Sequence, residues 1–303
     1  MRLCRFNDGR LGAVDGQTIK DVTAALDVLP SYRYPLPGHD LLIEHLDEVV
    51  GRARVLQAHA QTFPVEGVTL LSPVANPGKI IAAPVNYQKH LHEVRGDTAL
   101  HNNNPGHTLT IQSTGLFLKA TSSLVGPGHG AVIRHADRRT DHEVELAVVI
   151  GRRASRLRRD EALACVAGYA IGLDITIRGS EDRSFRKSPD TYSVLGPWLV
   201  TADEIPDPGS LDLQISVNGE LRQQSNTRQM ILNVAELIEM ASAMYTLHPG
   251  DVLFTGTPEG VRPIVPGDRI VAAIARIGSM TVAVYSADAG PVQATSGTSA
   301  AGE

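Results

Sequence analysis

The stretch Asp141-His142-Glu143-Val144-Glu145-Leu146-Ala147-Val148-Val149-Ile150 begins charged and ends as an unbroken apolar run. Its β-branched residues favour a buried strand over a helix, because branching at Cβ restricts χ1 in helices and packs well in sheets. Side chains alternate between the faces of a strand, so Glu143 and Glu145 point to the same side. Two carboxylates on one face repel each other unless a cation or a proton lies between them. The stretch therefore predicts either a divalent-cation site with oxygen ligands or an ordinary solvated strand end.

A third carboxylate favours the metal interpretation. The apolar residues 169–173 predict a second strand, and Asp174 follows directly at its end. A carboxylate in that position is costly unless it is paired or bound to a metal, although it is more often a cap or a turn residue. Three carboxylates suit Mg²⁺ or Mn²⁺ better than zinc, which prefers nitrogen and sulfur ligands.

Composition limits the class of protein. The chain has 303 residues, of which 42% are hydrophobic and 20% charged, with a formal net charge of −5. These values are ordinary for a soluble globular protein and give no reason to expect nucleic acid or a membrane surface as a partner. No apolar run approaches the roughly 20 residues of a membrane span, and the N-terminus lacks the apolar core of a signal peptide. Cys4 and Cys165 do not make a disulfide framework and suggest a reducing compartment, so we expect a cytoplasmic protein.

Turn signals divide the chain into three parts. Residues 1–72 combine short apolar runs between turns with a helical apolar pattern at residues 40–61, which predicts a small N-terminal domain. Prolines and a glycine within residues 71–78 mark the boundary. Residues 73–288 are predicted to form a larger domain, which carries the three carboxylates described above. Residues 289–303 are small and polar, and are predicted to be disordered.

Residues 88–112 predict an acid/base pair and a cover for the active site. His90 and Glu93 are three residues apart in a predicted helix, so they share a face and can touch. A carboxylate orients an imidazole as a general base in this way, although a surface ion pair with the same spacing is commoner. Residues 96–112 are polar and rich in turn residues, which predicts a long, mobile loop that acts as a lid.

Basic and glycine-rich segments add candidates for substrate binding. The basic side chains within residues 178–192 either meet an anionic substrate or belong to a solvated loop, and Arg178 has the alternative of a structural pair with Asp174 or another carboxylate. The glycines of residues 256–260 let a ligand approach the backbone. They do not form a phosphate-binding loop, because the Gly-Lys-Ser/Thr sequence is missing.

The ordered set of motifs from about Lys79 to Tyr285 resembles the fumarylacetoacetate hydrolase family. The motifs that carry the resemblance are Asn86-Tyr87 with His90 and Glu93, Phe117-Leu118-Lys119, His142-Glu143-Val144-Glu145-Leu146, Gly172-Leu173-Asp174 with Arg178, Lys187, Gly196-Pro197-Trp198, Val217-Asn218-Gly219-Glu220 with Gln223, and Thr255-Gly256-Thr257-Pro258-Glu259-Gly260-Val261. The resemblance implies an α+β, mainly β fold, in which mixed β-sheets roll into a sandwich beside a small N-terminal α/β domain. It also implies a homodimer.

The resemblance implies three sets of site residues. The implied metal ligands are Glu143, Glu145 and Asp174; the implied catalytic residues are His90, Glu93 and Lys187; the implied substrate-binding residues are Arg178, Lys119, Gln223, Gly256 and Thr257. The implied cofactor is Mg²⁺ or Mn²⁺, and the implied partner is a small-molecule 2-oxo acid. Glu181 departs from the glutamine frequent in relatives, which weakens the expected contact with an anionic substrate. Arg262 replaces a common glycine and either shapes the pocket or faces solvent.

Together these residues predict hydrolytic cleavage of a carbon–carbon bond in an acylpyruvate-type 1,3-diketo acid, as in aromatic or sugar-acid catabolism. Two alternatives use the same site: decarboxylation of a 2-oxo acid such as oxaloacetate, and isomerisation or tautomerisation of a hydroxydienoate. An alternative of another class is a non-catalytic binding protein that kept the fold. The fold does not choose among them. The pair of His90 and Glu93 favours hydrolysis, and the retained carboxylates and Lys187 argue against the binding protein.

Overall fold

The apolar stretch predicted as a buried strand forms strand β11, whose 7 residues are all buried. The computed structural model describes residues 1–287, so the predicted disorder of residues 289–303 lies outside the described residues. In chain order, the strands of the described part are β1 (Arg2–Phe6), β2 (Arg10–Asp15), β3 (Thr18–Asp21), β4 (Thr62–Pro64), β5 (Leu70–Leu71), β6 (Ile80–Ala82), β7 (Phe117–Lys119), β8 (Leu124–Val125), β9 (Ala131–Ile133), β10 (Thr140–Asp141), β11 (Val144–Ile150), β12 (Val166–Asp174), β13 (Thr176–Ile177), β14 (Ser193–Thr201), β15 (Asp212–Val217), β16 (Glu220–Asn226), β17 (Val252–Phe254), β18 (Arg269–Ile274) and β19 (Gly278–Ser286).

The helices are mostly short. Within residues 1–287 the α-helices are α1 (Leu41–Glu44), α2 (Leu46–Leu56), α3 (Gln88–Gly96), α4 (Thr98–His101), α5 (Ile111–Thr114), α6 (Arg159–Ala162), α7 (Arg183–Lys187) and α8 (Val234–Met244). Helix α8 begins at Asn233, whose side chain accepts from the backbone N–H of Glu236, while the Glu236 carboxylate accepts from the N–H of Asn233. This reciprocal cap satisfies two donors that a helix N-terminus leaves free. None of the helices in this range combines the length and the apolar character needed to span a bilayer.

A twelve-stranded sheet places the three carboxylates together. Its order is β4-β3-β2-β1-β14-β12-β11-β17-β6-β7, with β5 beside β1 and β8 beside β14. Strand β11 pairs antiparallel with β12, so Glu145 lies opposite Gly172. The same pairing continues past the strand end, where the backbone N–H of Asp174 donates to the carbonyl of Glu143 at 3.0 Å. Two neighbouring strands thus bring carboxylates from distant parts of the sequence to one place.

The alternation of side chains along β11 divides the core into two layers. Val144, Leu146 and Val148 belong to the layer shared with helix α8 and a five-stranded sheet of order β16-β15-β18-β19-β9. Ala147 and Val149 belong to the layer on the other face, which includes β1, β2 and α2. Burial on both faces explains why the strand is continuously apolar. The predicted α+β, mainly β sandwich is confirmed.

The N-terminal segment shares the large sheet with the rest of the chain. Strand β1 pairs with β14, so that Arg2 lies opposite Val200 and Leu3 opposite Leu199. The helical pattern predicted for residues 40–61 is confirmed by α1 and α2. The domain boundaries predicted near residues 72 and 288 stay predictions.

The segment predicted as a long loop is folded more regularly than expected. Residues 98–114, here called the covering segment, contain α4, a 3₁₀ turn at Pro105–Thr108 and α5. Asn102 and Asn103 connect these turns with positive φ angles of 47° and 54°, a conformation that asparagine tolerates better than most residues. The segment contains regular structure that the loop prediction did not include, because polar turn residues here separate short helices in which Leu100 and Ile111 are buried. Its predicted mobility stays a prediction.

Gly172 provides a test of the packing beneath the carboxylates. A Cβ atom at this position would lie 2.4 Å from the ring of Phe254. Overpacking of a core costs about 1–3 kcal/mol, so we expect Gly172→Ala to lower the free energy of unfolding by that amount in urea titrations followed by circular dichroism. Gly51 in α2 has nothing within 4 Å of an added Cβ, so the control Gly51→Ala is expected to be neutral or stabilising. An unchanged midpoint for Gly172→Ala would contradict this packing.

Candidate active site

Glu143, Glu145 and Asp174 form a buried carboxylate trio at the ends of β11 and β12. One oxygen from each lies within 4.8 Å of the others. Oxygen donors at this spacing fit a hard divalent cation, and a set without nitrogen or sulfur does not suit zinc. The structure therefore brings together the three residues predicted as metal ligands.

Three basic side chains bond two members of the trio. Lys187 Nζ donates to Glu143 Oε2 and to Asp174 Oδ2, both at 2.6 Å. Lys119 Nζ donates to Asp174 Oδ1 at 2.5 Å, and Arg178 Nη2 donates to Glu143 Oε1 at 2.8 Å. Burial raises the pKa of Glu143, but Lys187 and Arg178 outweigh burial and bring it down to about 2.

Glu145 lacks such a partner. Its Oε2 accepts a hydrogen bond from the backbone N–H of Gly256 at 2.6 Å, and no lysine or arginine among residues 1–287 bonds it. Burial, and then the negative charge of Asp174, raise the pKa of Glu145 well above its ordinary value. Positive charge in direct contact is therefore missing at Glu145 alone, and a bound divalent cation is able to supply it.

His90 and Glu93 touch on helix α3, as predicted. His90 Nδ1 lies 2.8 Å from Glu93 Oε2, and Glu93 Oε1 accepts from the backbone N–H of Gly260 at 2.9 Å. Both oxygens of the Glu93 carboxylate are thus bonded, and Glu93 favours the tautomer of His90 that carries hydrogen on Nδ1. Nε2 has no hydrogen-bond partner within the described chain. Because His90 is only 3% exposed, the surface ion-pair interpretation does not hold.

Two members of the trio and the histidine share one small cavity. Glu143, Glu145, His90 and Lys187 line a volume of about 40 Å³, together with apolar and basic side chains that include Leu100 of the covering segment. A volume of that size holds only a few water molecules. An organic acid therefore requires the covering segment or nearby side chains to move, which is the motion expected of a lid. The lid role of this segment stays a prediction.

Residues 79–285 match the family model described as fumarylacetoacetate (FAA) hydrolase, C-terminal. The chain belongs to the fumarylacetoacetate hydrolase family. A maleylpyruvate hydrolase of Aquipseudomonas alcaligenes is 58% identical over 286 residues, which cover 94% of this chain and 100% of that protein. The crystal structure of a maleylpyruvate hydrolase from Sphingobium sp. SYK-6, in complex with manganese (II) ion and pyruvate, is 39% identical with a TM-score of 0.80, covering 94% of this chain and 99% of that one. A mitochondrial oxaloacetate tautomerase of Rattus norvegicus is 36% identical over 237 residues, 74% of this chain and 72% of that protein.

The residues that the family resemblance assigned to the substrate lie at different depths. Arg178 and Thr257 line the cavity, and Gly256 borders it through its bond to Glu145. Gln223 is buried beside the cavity, where its Nε2 donates to Thr257 Oγ1 at 2.9 Å. Lys119 lies behind Asp174, also donates to the Tyr192 carbonyl at 2.8 Å, and does not line the cavity. These positions make Gln223 and Lys119 supports of the site, and their substrate contacts stay predictions.

The two departures from the family pattern point away from the cavity. Glu181 accepts two hydrogen bonds from Arg138, both at 2.8 Å. Arg262 lies 3.4 Å from Glu220, and its side chain is 57% exposed. Neither lines the cavity, so the interpretation of Arg262 as a solvent-facing residue is the one that holds.

Sequence reasoning assigned no individual role to several residues that shape this family site. Asp141 is fully buried and accepts from Arg178 Nε at 2.7 Å, which orients that guanidinium. Asp141 stands two residues before Glu143, so strand periodicity offered a signal for it. His107, Arg183 and Arg186 line the cavity. The two arginines belong to the basic side chains predicted as a group either to meet an anionic substrate or to lie in a solvated loop, and His107 belongs to the predicted lid. Neither segment has a periodic pattern, so the sequence did not indicate which of their side chains reach the cavity.

Proposed function

We propose that the protein is a divalent-metal-dependent hydrolase that cleaves a carbon–carbon bond in an acylpyruvate-type 1,3-diketo acid. The observation that carries the proposal is a buried carboxylate trio, two of whose members line one cavity with His90, a histidine whose Nε2 has no hydrogen-bond partner among residues 1–287. Similarity to two maleylpyruvate hydrolases, one of them bound to manganese and pyruvate, supports it. Maleylpyruvate is therefore the first substrate to test, and catabolism of aromatic compounds is the proposed role.

The carboxylate trio and the dyad of His90 and Glu93 have separate roles in the proposed reaction. Glu143, Glu145 and Asp174 would hold Mg²⁺ or Mn²⁺, which when bound polarises the oxygens of a 2-oxo acid and stabilises a departing enolate. His90 Nε2 takes a proton from water, and the resulting hydroxide attacks the acyl carbonyl. Glu93 stabilises the imidazolium. The bond between the acyl carbon and the pyruvate methylene then breaks, and its electron pair leaves with the pyruvate fragment, which takes up a proton.

Lys187 is proposed to stabilise the oxyanion that forms during attack. In the structure its Nζ donates at 2.6 Å to each of Glu143, Asp174 and Thr176. An ammonium has three donors, so contact with a substrate oxygen requires release of one of these bonds. Lys187 would be released more readily in the metal-loaded protein, because a cation held by Glu143, Glu145 and Asp174 would supply the positive charge that Lys187 gives to Glu143 and Asp174 here.

Assembly and location complete the proposal. A homodimer is proposed on the family resemblance alone. A cytoplasmic location is supported by Cys4 and Cys165, which are both buried and free, as expected in a reducing compartment.

An activity assay separates the proposed hydrolase from its alternatives. With Mn²⁺ or Mg²⁺ present, we expect loss of the ultraviolet absorbance of maleylpyruvate and formation of maleate and pyruvate in equal amounts, and we expect EDTA to stop the reaction. Release of CO₂ from oxaloacetate would instead indicate a decarboxylase. Keto–enol conversion without bond cleavage would indicate a tautomerase, the activity named for the 36% identical relative. Absence of turnover across a panel of 2-oxo acids would favour a binding protein.

A further inference from the structure

Two arginines of the cavity wall have no carboxylate partner. Arg186 is 3% exposed, and within the described chain it donates only to the carbonyls of Glu181 and Ile177, at 2.8 and 2.9 Å, and to the ring of His107 at 3.3 Å. Arg183 is half-buried and makes one hydrogen bond, from Nη2 to the carbonyl of Gly106 at 3.1 Å. Both charges thus face neutral acceptors in a cavity that opens onto the trio.

Such an arrangement is costly without an added anion. A buried charge is stabilised by an opposite charge, and hydrogen bonds to neutral groups replace only part of its lost hydration. Burial, and then the nearby Arg178, lower the pKa of Arg186 to about 10, which leaves the guanidinium charged at neutral pH. His107 supplies no counter-charge, because burial and then Arg186 lower its pKa to about 4 and keep it neutral. Because no carboxylate among residues 1–287 contacts either guanidinium, a negatively charged ligand is the partner that these two side chains suit.

The unused donors suit a carboxylate. A guanidinium has five N–H donors in a planar fork that matches the two oxygens of a carboxylate. Arg183 uses one of them, so most of its fork is free. In the proposed function, the 2-oxo acid end of the substrate lies at the trio, and the family resemblance implies that Arg178 is beside it. These two arginines therefore remain for a negative group elsewhere in the substrate.

We propose that Arg183 and Arg186 form a subsite for a second carboxylate, carried by the acyl group of the substrate. The preferred substrates are then acylpyruvates whose acyl chain ends in a carboxylate, rather than acylpyruvates with an apolar acyl group. This inference rests on the proposed hydrolase function and deepens it. The same contacts allow a competing role. Gly106 and His107 belong to the covering segment, so the alternative is that the two arginines only hold this segment in place.

Two substrates that differ at the acyl end separate these roles. Maleylpyruvate carries the second carboxylate, and acetopyruvate has a methyl group instead. We expect Arg183→Met to lower kcat/KM for maleylpyruvate by about 10- to 100-fold, the size of lost charge-assisted hydrogen bonds, and to leave kcat/KM for acetopyruvate within about 2-fold by the same principle. Arg183→Lys keeps the charge without the fork and should recover part of the loss.

A control variant at Arg134 and a second test variant at Arg186 complete the experiment. Arg134 bonds Asp190 at 2.8 Å with a partly exposed side chain, so Arg134→Met is expected to leave both substrates unaffected. Arg186→Lys should repeat the selective loss. If that buried variant fails to fold, as judged by its thermal melt, the half-buried Arg183 decides alone. Equal losses of kcat/KM on both substrates would assign the arginines to the lid and overturn the subsite. An unchanged kcat/KM for maleylpyruvate would also overturn the subsite.

The experiment has a different outcome if the protein is not a hydrolase. In that case the wild-type protein cleaves neither acid, and calorimetric binding of the same two acids judges the subsite. A preference for maleylpyruvate that disappears in Arg183→Met keeps the subsite without the hydrolase. Equal affinity for the two acids in the wild type removes it.

Discussion

Glu145→Ala is expected to abolish metal-dependent hydrolysis, with kcat/KM at least about 10³-fold below the wild-type value. Polarisation by a bound divalent ion contributes several kcal/mol to the rate, and about 1.4 kcal/mol corresponds to a factor of ten. Glu145 is the trio member that no lysine or arginine among residues 1–287 bonds. Its carboxylate is therefore the one most in need of the cation. Steady-state kinetics across a Mn²⁺ titration measure the loss of activity, and the spectroscopic signal of free Mn²⁺ measures the loss of binding.

Without metal, removal of the Glu145 charge is expected to maintain or raise the thermal stability of the protein, in contrast to its effect on activity. Glu145→Gln keeps the size of the side chain and an oxygen for the Gly256 N–H, but removes the charge that burial and Asp174 make unfavourable. Its Tm without metal should equal or exceed that of the wild type. A saturating ligand at 100-fold its Kd stabilises a protein by about 2.7 kcal/mol, so Mn²⁺ should raise the wild-type Tm by several degrees and leave that of Glu145→Gln unchanged.

A carboxylate outside the cavity serves as the control. Glu181 is paired with Arg138, so Glu181→Gln is expected to keep both the Mn²⁺-induced rise in Tm and the activity. Full Mn²⁺ binding by Glu145→Ala would show that the trio is not the metal site. A Glu145→Gln protein that melts well below the wild type without metal would show that this carboxylate is structural.

Rules for local structure predicted the trio and the dyad, because the regular geometry of a strand or a helix fixes which neighbouring side chains share a face. Alternation along a strand placed Glu143 and Glu145 on one face, and a helical spacing of three placed His90 against Glu93. Asp174 required one further step, the pairing of two buried strands. Family resemblance added roles to these residues that periodicity does not contain.

The remainder of the site depends on contacts between distant segments. Lys119 reaches Asp174 across 55 positions, and Arg186 meets His107 across 79. No local pattern tells which strand end receives a lysine from another part of the chain. The short helices of the covering segment were not predicted, for a related reason. Its polar residues are typical of a loop, and only contacts such as that between Arg183 and the Gly106 carbonyl show where its turns pack.

His90→Ala is expected to lower kcat by about 10²- to 10⁴-fold, the usual contribution of a general base, while the Kd for Mn²⁺ stays unchanged. The two effects separate because His90 is bonded to Glu93 and does not belong to the carboxylate trio. Glu93→Gln should cause a smaller loss of kcat, since the amide retains an oxygen for the ring N–H but no longer stabilises the imidazolium. Stopped or continuous assays with maleylpyruvate at saturating Mn²⁺ measure both variants.

A second histidine on the same helix makes the comparison specific. His92 is exposed, and its Nε2 lies 3.1 Å from the Gln88 side chain, so His92→Ala removes an imidazole two residues from His90 without touching the cavity. Its kcat should match that of the wild type. If His90→Ala also kept the wild-type kcat, water activation would have to come from another group, and the pairing of His90 with Glu93 would be structural. If His90→Ala lost Mn²⁺ binding instead, the imidazole would belong to the metal site, and the division of labour between dyad and trio would be wrong.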